Sequence, residues 1–178
     1  MIAQLQSRFD ELERRREEFL QRLNEQTSEQ LHYSPAAGSW SLLQIAEHLR
    51  LVEERLIAGW LVDHPGREQL RRRLRHRITY AAVMTLVFRM GLRVRMPGPG
   101  VAPEVPPGLP EVARRWSELR AELASQLGTL TERSATNLFI RHPVLGPLDA
   151  ADALRFLRVH FDHHMRQVGR VTGHRGFP

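Results

Sequence analysis

The chain has 178 residues, of which 42% are hydrophobic and 26% are charged, and this balance predicts one globular domain over residues 1–178. It contains no cysteine, which excludes disulfides, thiolate metal sites and a cysteine nucleophile. All 26 basic residues are arginine, which excludes lysine chemistry, and we interpret the net charge of +6 first as solvated arginine on helix surfaces.

The N-terminal third of the chain predicts two long amphipathic helices. Apolar residues recur at steps of three and four and predict a helix over about residues 3–26, interrupted only by Arg16. Thr27 begins a short capped turn. Ser41, followed three residues later by Gln44, has the spacing of a capping box and predicts the start of the second long helix.

The middle of the chain departs from this pattern. A basic run over residues 71–77 precedes a largely apolar stretch, Ile78 to Phe88, and six prolines then fall between Pro97 and Pro110. The apolar stretch has 11 residues, whereas a membrane helix needs roughly 20, so we expect no membrane span and a cytoplasmic location. The prolines predict a long crossover connection between the second and third long helices.

Two further helices complete the predicted fold. Pro110 lies in the first turn of the third long helix, and Asp149 is the predicted N-cap of the last, which extends to about Thr172. Residues 138–148 contain two prolines and a glycine and are predicted to be a loop. Four long amphipathic helices with no clear alternating strand predict an all-α four-helix bundle.

Two of the nine histidines occupy unusual positions. His160 and His164 lie one turn apart at the centre of the apolar face of the last helix, where leucine would be ordinary. Such a pair either bonds to core partners or holds one ion. A third ligand must come from another helix, and His48 lies at the border of the apolar face of the second. The spacing alone leaves both interpretations open, because His48 also fits a boundary histidine bonded to a neighbour.

Three segments resemble motifs of the DinB-like superfamily. Residues 38–49, GSWSLLQIAEHL, resemble the start of its second helix, where a Trp-Ser pair precedes a helix whose histidine binds metal. Residues 142–148, HPVLGPL, resemble the loop before its last helix. Residues 160–167, HFDHHMRQ, resemble its closing HxxHHxxQ motif, whose first and last histidines are ligands. The matches keep the family's order and spacing and cover essentially the whole chain.

The resemblance implies a function as well as a fold. It implies a three-histidine site, here His48, His160 and His164, for a divalent ion that is often nickel or zinc, with iron or manganese as alternatives. Relatives include metal-dependent hydrolases and thiol transferases that act with bacillithiol, mycothiol or glutathione. We therefore expect a small-molecule substrate, or a low-molecular-weight thiol, as the partner, and we expect the chain to form a homodimer.

Polar residues near these histidines receive different roles. Gln44 and Gln167 lie one helical turn from predicted ligands, so we expect them to orient the imidazole rings. Glu47 and Asp162 point away from the apolar faces and are predicted to be solvated. No side chain is identified as a general base.

Two other functions remain compatible with the sequence. A non-catalytic bundle would act as a homodimeric binding or structural protein, with the apolar stretch as its contact surface. An anion, including nucleic acid, would bind the arginine run, although no DNA-reading motif is present, so nucleic acid is the weaker expectation. The candidate anion-binding residues are Arg71, Arg72, Arg73, Arg75 and Arg77.

Overall fold

The computed structural model describes residues 1–61, 74–85, 101–103, 105–137, 140–142 and 145–178. This part of the chain forms seven helices and one pair of short strands. In chain order they are α1 (Ala3–Asn24), α2 (Ser28–His32), α3 (Leu42–Leu61), α4 (Leu74–Ala82), α5 (Leu109–Gly128), α6 (Glu132–Ala135), β1 (Ile140–His142), β2 (Gly146–Leu148) and α7 (Ala150–Thr172).

The four long helices α1, α3, α5 and α7 surround a common apolar core. Both α1 and α3 pack on α5 and on α7. The core side chains come from the predicted apolar faces, among them Leu12, Trp116 and Leu157. The all-α prediction is confirmed, and none of the described helices is long and apolar enough to cross a membrane. Much of the predicted crossover connection, residues 62–73 and 86–100, lies outside the described residues.

Capping residues begin the helices where the sequence predicts. The Ser41 N–H donates to Gln44 Oε1 at 3.0 Å, and the Gln44 N–H donates to Ser41 Oγ at 3.3 Å. The Asp149 carboxylate accepts from the Asp152 N–H at 2.8 Å. Thr27 forms a reciprocal capping box ahead of α2. These caps therefore fix where α3 and α7 begin along the chain.

The segment predicted to be a loop contains a small hairpin. Strands β1 and β2 pair antiparallel, with Ile140 opposite Leu148 and His142 opposite Gly146. Strands of three residues are too short to show an alternating pattern, which is why the sequence does not predict them. The hairpin packs on α3 through β1 and on α4 and α7 through β2, so His142 comes close to the helices that carry the predicted ligands.

Charged side chains are buried on several of the long helices. Arg16, which interrupts the apolar seam of α1, pairs with Glu13 and donates to Ser117 Oγ at 3.1 Å. The prediction that Glu47 is solvated is wrong, because Glu47 is buried and accepts two hydrogen bonds from Arg50, each 2.8 Å long. The buried guanidinium neutralises the carboxylate, and together they satisfy the polar atoms that burial removes from water.

Candidate metal centre

Three histidines from two packed helices meet inside the protein. His48 lies on α3, and His160 and His164 lie one turn apart on α7. Their exposed fractions are 0%, 4% and 6%, respectively. Because α3 packs on α7, the side chains that face the core on each helix share one space, and the three rings come together there.

The three rings converge through their Nε2 atoms. The Nε2 of His160 lies 3.3 Å from that of His48 and 3.1 Å from that of His164, and one nitrogen of each ring lies within 4.8 Å of the others. An ion bound to nitrogen at roughly 2.0–2.1 Å separates adjacent donors by roughly 2.8–3.4 Å, the lower part of the range for octahedral and the upper part for tetrahedral geometry. The spacing of these imidazoles is therefore compatible with one shared metal ion.

Hydrogen bonds at Nδ1 orient two of the rings. The Nδ1–H of His48 donates to the Val101 carbonyl at 2.7 Å. The Nδ1–H of His164 donates to Gln167 Oε1 at 2.9 Å. A carbonyl oxygen only accepts, so both rings carry their hydrogen on Nδ1, and their unprotonated Nε2 atoms face Nε2 of His160. Unprotonated Nε2 atoms at the point of convergence are what a metal ion requires.

Burial keeps these rings neutral at physiological pH. It lowers the pKa of His164 to about 3, with repulsion from a charged His48 adding to the effect. Burial, followed by repulsion from the other two rings, lowers the pKa of His160 well below its usual value. Burial also lowers the pKa of His48, although its bond to the Val101 carbonyl opposes this shift. Neutral imidazole is the form that binds metal.

Two aromatic side chains cover the histidines. The ring centroid of Trp40 lies 4.6 Å from that of His48 and 6.0 Å from that of His164, at 18° to the latter ring. Phe156 stacks on His160 with the centroids 5.5 Å apart and the planes at 20°. These rings restrict imidazole rotation and exclude water from the imidazole faces that they contact.

The family comparison agrees with this arrangement. The sequence model of the DinB superfamily matches residues 11–168, a range that includes all three histidines. The chain belongs to the DinB superfamily. The resemblance carried by the three sequence motifs is thereby confirmed over most of the chain. A comparison with curated proteins and another with solved structures gave no significant match.

The two glutamines that were predicted to orient ligands of this DinB-superfamily protein make different contacts. Gln167 contacts a ligand candidate directly, as described above. The side-chain amide of Gln44 instead donates to the Pro103 carbonyl at 3.1 Å, two residues beyond the carbonyl that accepts from His48. Gln44 therefore contacts this segment of backbone rather than a predicted ligand.

Contacts of a fourth histidine were not predicted. His142 accepts from the Leu145 N–H through Nδ1 at 3.0 Å, and its ring centroid lies 4.8 Å from that of Phe156. Burial lowers the pKa of His142 to about 4. The sequence offered a clue to His142, since this residue begins the segment that resembles the DinB loop. It offered no clue to the contact of His48 with the Val101 carbonyl, because that acceptor is a backbone group in a proline-rich stretch.

The arginine run lies largely outside the described part of the protein. Arg71, Arg72 and Arg73 fall within residues 62–73, which are not among the described residues. Arg75 and Arg77 belong to α4, but their side chains are also outside the description. Anion binding by this run stays a prediction.

Proposed function

We propose that this protein is a divalent-metal-dependent enzyme whose ion is held by His48, His160 and His164. The observation that carries the proposal is the convergence of three buried Nε2 atoms at a spacing compatible with one ion. Burial keeps the rings neutral, and hydrogen bonds at Nδ1 orient two of them. Imidazole donors suit nickel or zinc, and they also accept iron or manganese.

The class of reaction follows from what three protein ligands leave open. A site with three protein donors retains a position for water or substrate, which is typical of catalytic rather than structural sites. A divalent ion supplies Lewis acidity there, which makes water or a thiol a better nucleophile at neutral pH. The chain has no cysteine, so any thiol must enter as a small molecule. We therefore propose a hydrolase or a transferase of a low-molecular-weight thiol.

Metal analysis tests the ligand assignment. Mass spectrometry of the purified protein, followed by zinc and nickel titration of chelator-treated protein, is expected to give about one ion per chain. His160→Ala is expected to abolish this binding. His32→Ala, which replaces an exposed histidine on α2, is the matched control and should bind as the wild type does. Unchanged metal content in a His160→Ala protein with native circular dichroism would contradict the assignment.

Activity measurements distinguish the two reaction classes. The metal-loaded protein is assayed for ester hydrolysis and, separately, for transfer of glutathione to a chromogenic electrophile. We expect one of these reactions to depend on added metal and to be lost in His160→Ala. Equal rates for the loaded wild type and for His160→Ala in both assays would contradict an enzymatic function for the site.

A non-catalytic homodimer is the second candidate, and exposed apolar side chains favour it. Ile78 on α4 is 61% exposed, and Val105, in the connection before α5, is 88% exposed. Exposed apolar side chains form a contact surface when they belong to a larger apolar patch, and Ile78 begins the apolar stretch that the sequence marks as the candidate surface. Sedimentation velocity compares the wild type with Ile78→Ser. A dimer that dissociates in the variant supports this candidate, and a monomeric wild type excludes it.

A further inference from the structure

The end of the proline-rich connection is hydrogen-bonded to side chains of α3 beside the candidate metal centre. His48 donates to the Val101 carbonyl at 2.7 Å, and the side-chain amide of Gln44 donates to the Pro103 carbonyl at 3.1 Å. Val101 and Pro103 are buried, whereas Ala102 between them is exposed. Two neighbouring backbone acceptors of this segment are thus paired with two side chains of one helix.

The spacing of the two bonds couples them mechanically. Gln44 and His48 are four residues apart, so they lie on one face of α3 and are separated by about 6 Å along its axis. Their acceptors are only two residues apart in the segment. Because only Ala102 lies between the two residues, a displacement that breaks the bond to Pro103 is expected to move the carbonyl that accepts from His48 as well.

We propose that Gln44 is a positioning residue of the metal centre, which holds residues 101–103 so that the Val101 carbonyl fixes the ring of His48. The inference rests on the proposed function, because it concerns the affinity of that same site for a divalent ion. A carbonyl at Nδ1 sets both the orientation and the tautomer of an imidazole. Without it the ring rotates or takes the Nε2–H form, which has no Nε2 lone pair to give to a metal.

Gln44 has a second role that an experiment must separate from the first. Its Oε1 accepts from the Ser41 N–H in the capping box of α3. Gln44→Glu keeps this acceptor, since glutamate serves the same position in capping boxes, but it has no N–H to donate to Pro103. Gln44→Met removes both bonds without adding a charge. Ser41→Ala removes the capping hydroxyl and leaves the amide on Pro103, so it is the matched control.

Two measurements are made on these three variants and the wild type. Zinc affinity is obtained by competition with a chromophoric chelator, and the tautomer of His48 in metal-free protein is obtained from long-range proton–nitrogen NMR correlations. We expect both Gln44 variants to bind zinc about tenfold more weakly and to lose part of the Nδ1–H form of His48. Ser41→Ala should lower the midpoint of thermal unfolding while its zinc affinity stays within about twofold of the wild type.

Specific results would overturn the inference. If the wild type binds zinc, unchanged affinity in either Gln44 variant contradicts it, as does a loss in Ser41→Ala that equals the loss in Gln44→Met. Failure of the proposed function is a different result, namely a wild type that binds neither zinc nor nickel. The tautomer of His48 in metal-free protein then decides the inference alone, and an unchanged tautomer in both Gln44 variants overturns it.

Discussion

His164 and Gln167 form a hydrogen-bonded pair within α7, with Nδ1 of the imidazole 2.9 Å from Oε1 of the amide. The buried ring is neutral, so Nδ1 donates and Nε2 keeps its lone pair directed at His160, 3.1 Å away. Both partners belong to one helix. The hydrogen bond between them therefore needs no group from another element, which makes this pair a direct test of whether ring orientation sets metal affinity.

Gln167→Leu is expected to weaken zinc binding about tenfold, because the imidazole of His164 loses the acceptor that orients it. Gln167→Glu is expected to bind zinc at least as tightly as the wild type, since a carboxylate is a stronger acceptor for the Nδ1–H. Gln126→Leu makes the same change at a half-buried glutamine of α5 and serves as the control. Chelator competition measures all four proteins, and equal affinity of Gln167→Leu and the wild type would contradict the expectation.

Buried neutral histidines make the metal-free protein sensitive to acid. A histidine in the unfolded chain protonates near pH 6.5, whereas burial lowers the pKa of His164 to about 3 and that of His160 well below its usual value. Between these values the unfolded state binds more protons than the folded state. Stability that is fully present above about pH 6.5 is therefore lost as the pH falls, by about 1.4 kcal/mol per pH unit for each such histidine.

Urea unfolding of chelator-treated protein measures this loss between about pH 7.5 and about pH 5.5. We expect the free energy of unfolding to fall throughout the lower half of the range. His160→Leu should reduce the slope of the free energy of unfolding against pH by the equivalent of about one bound proton. His32→Gln, at an exposed histidine of α2, should leave this slope unchanged. A wild-type stability that does not change with pH over this range would contradict the neutral, buried state of the rings.

The sequence predicts the long helices and the histidine cluster because these depend on local patterns. A capping box at Ser41 and an N-cap at Asp149 begin α3 and α7, and the i, i+4 spacing of His160 and His164 puts both on one face. His48 needed the family motif in addition, because its position on the helical wheel allows an inward or a boundary placement.

The remaining features depend on contacts between separate elements or on backbone atoms, which residue patterns do not encode. The wheel shows Glu47 on the polar side of α3, and only the three-dimensional structure shows that it is buried with Arg50. The acceptor for His48 is a carbonyl more than 50 residues away. The strands around Gly146 are too short for periodicity and exist through their pairing and packing.

A buried polar network joins α3 to α5. The Glu53 carboxylate accepts from Trp116 Nε1 at 2.8 Å and from an Arg120 Nη atom at 2.7 Å. Arg120 is 1% exposed, and its Nε and other Nη atom have no hydrogen-bond partner among the described residues. The carboxylate is thus the main compensation for a guanidinium removed from water, and each charge depends on the other.

Arg120→Ala is expected to lower the free energy of unfolding by about 3 kcal/mol or more, because it leaves the Glu53 charge buried and unpaired. Arg114→Ala breaks an exposed pair with Glu118 on the same helix, 2.6 Å apart, and should cost less than about 1 kcal/mol. The double variant Glu53→Leu/Arg120→Leu should recover much of the loss. Denaturant unfolding compares them, and similar costs for Arg120→Ala and Arg114→Ala would disprove the role of the network.

Gly38 and Gly146 share a backbone conformation but differ in their surroundings. Their φ angles are 77° and 78°, in the left-handed region that favours glycine. A Cβ at Gly38 would meet nothing within 4 Å, whereas a Cβ at Gly146 would lie 2.8 Å from Cγ of His76. His76 belongs to α4, so the close approach of the hairpin to α4 uses the space of a missing side chain.

Gly38→Ala is expected to cost about 1 kcal/mol, the strain of a left-handed alanine, and therefore calibrates the backbone contribution. Gly146→Ala should cost more, because the His76 ring must also move. In a His76→Ala background, the cost of Gly146→Ala should fall toward that of Gly38→Ala, because only the Cβ of residue 76, 3.1 Å from the added Cβ, stays close. Urea unfolding of the four proteins in this cycle measures the difference as a coupling free energy. A coupling free energy of zero would show that the His76 ring and α4 move aside at no cost in stability, and it would contradict the tight packing of His76 on Gly146.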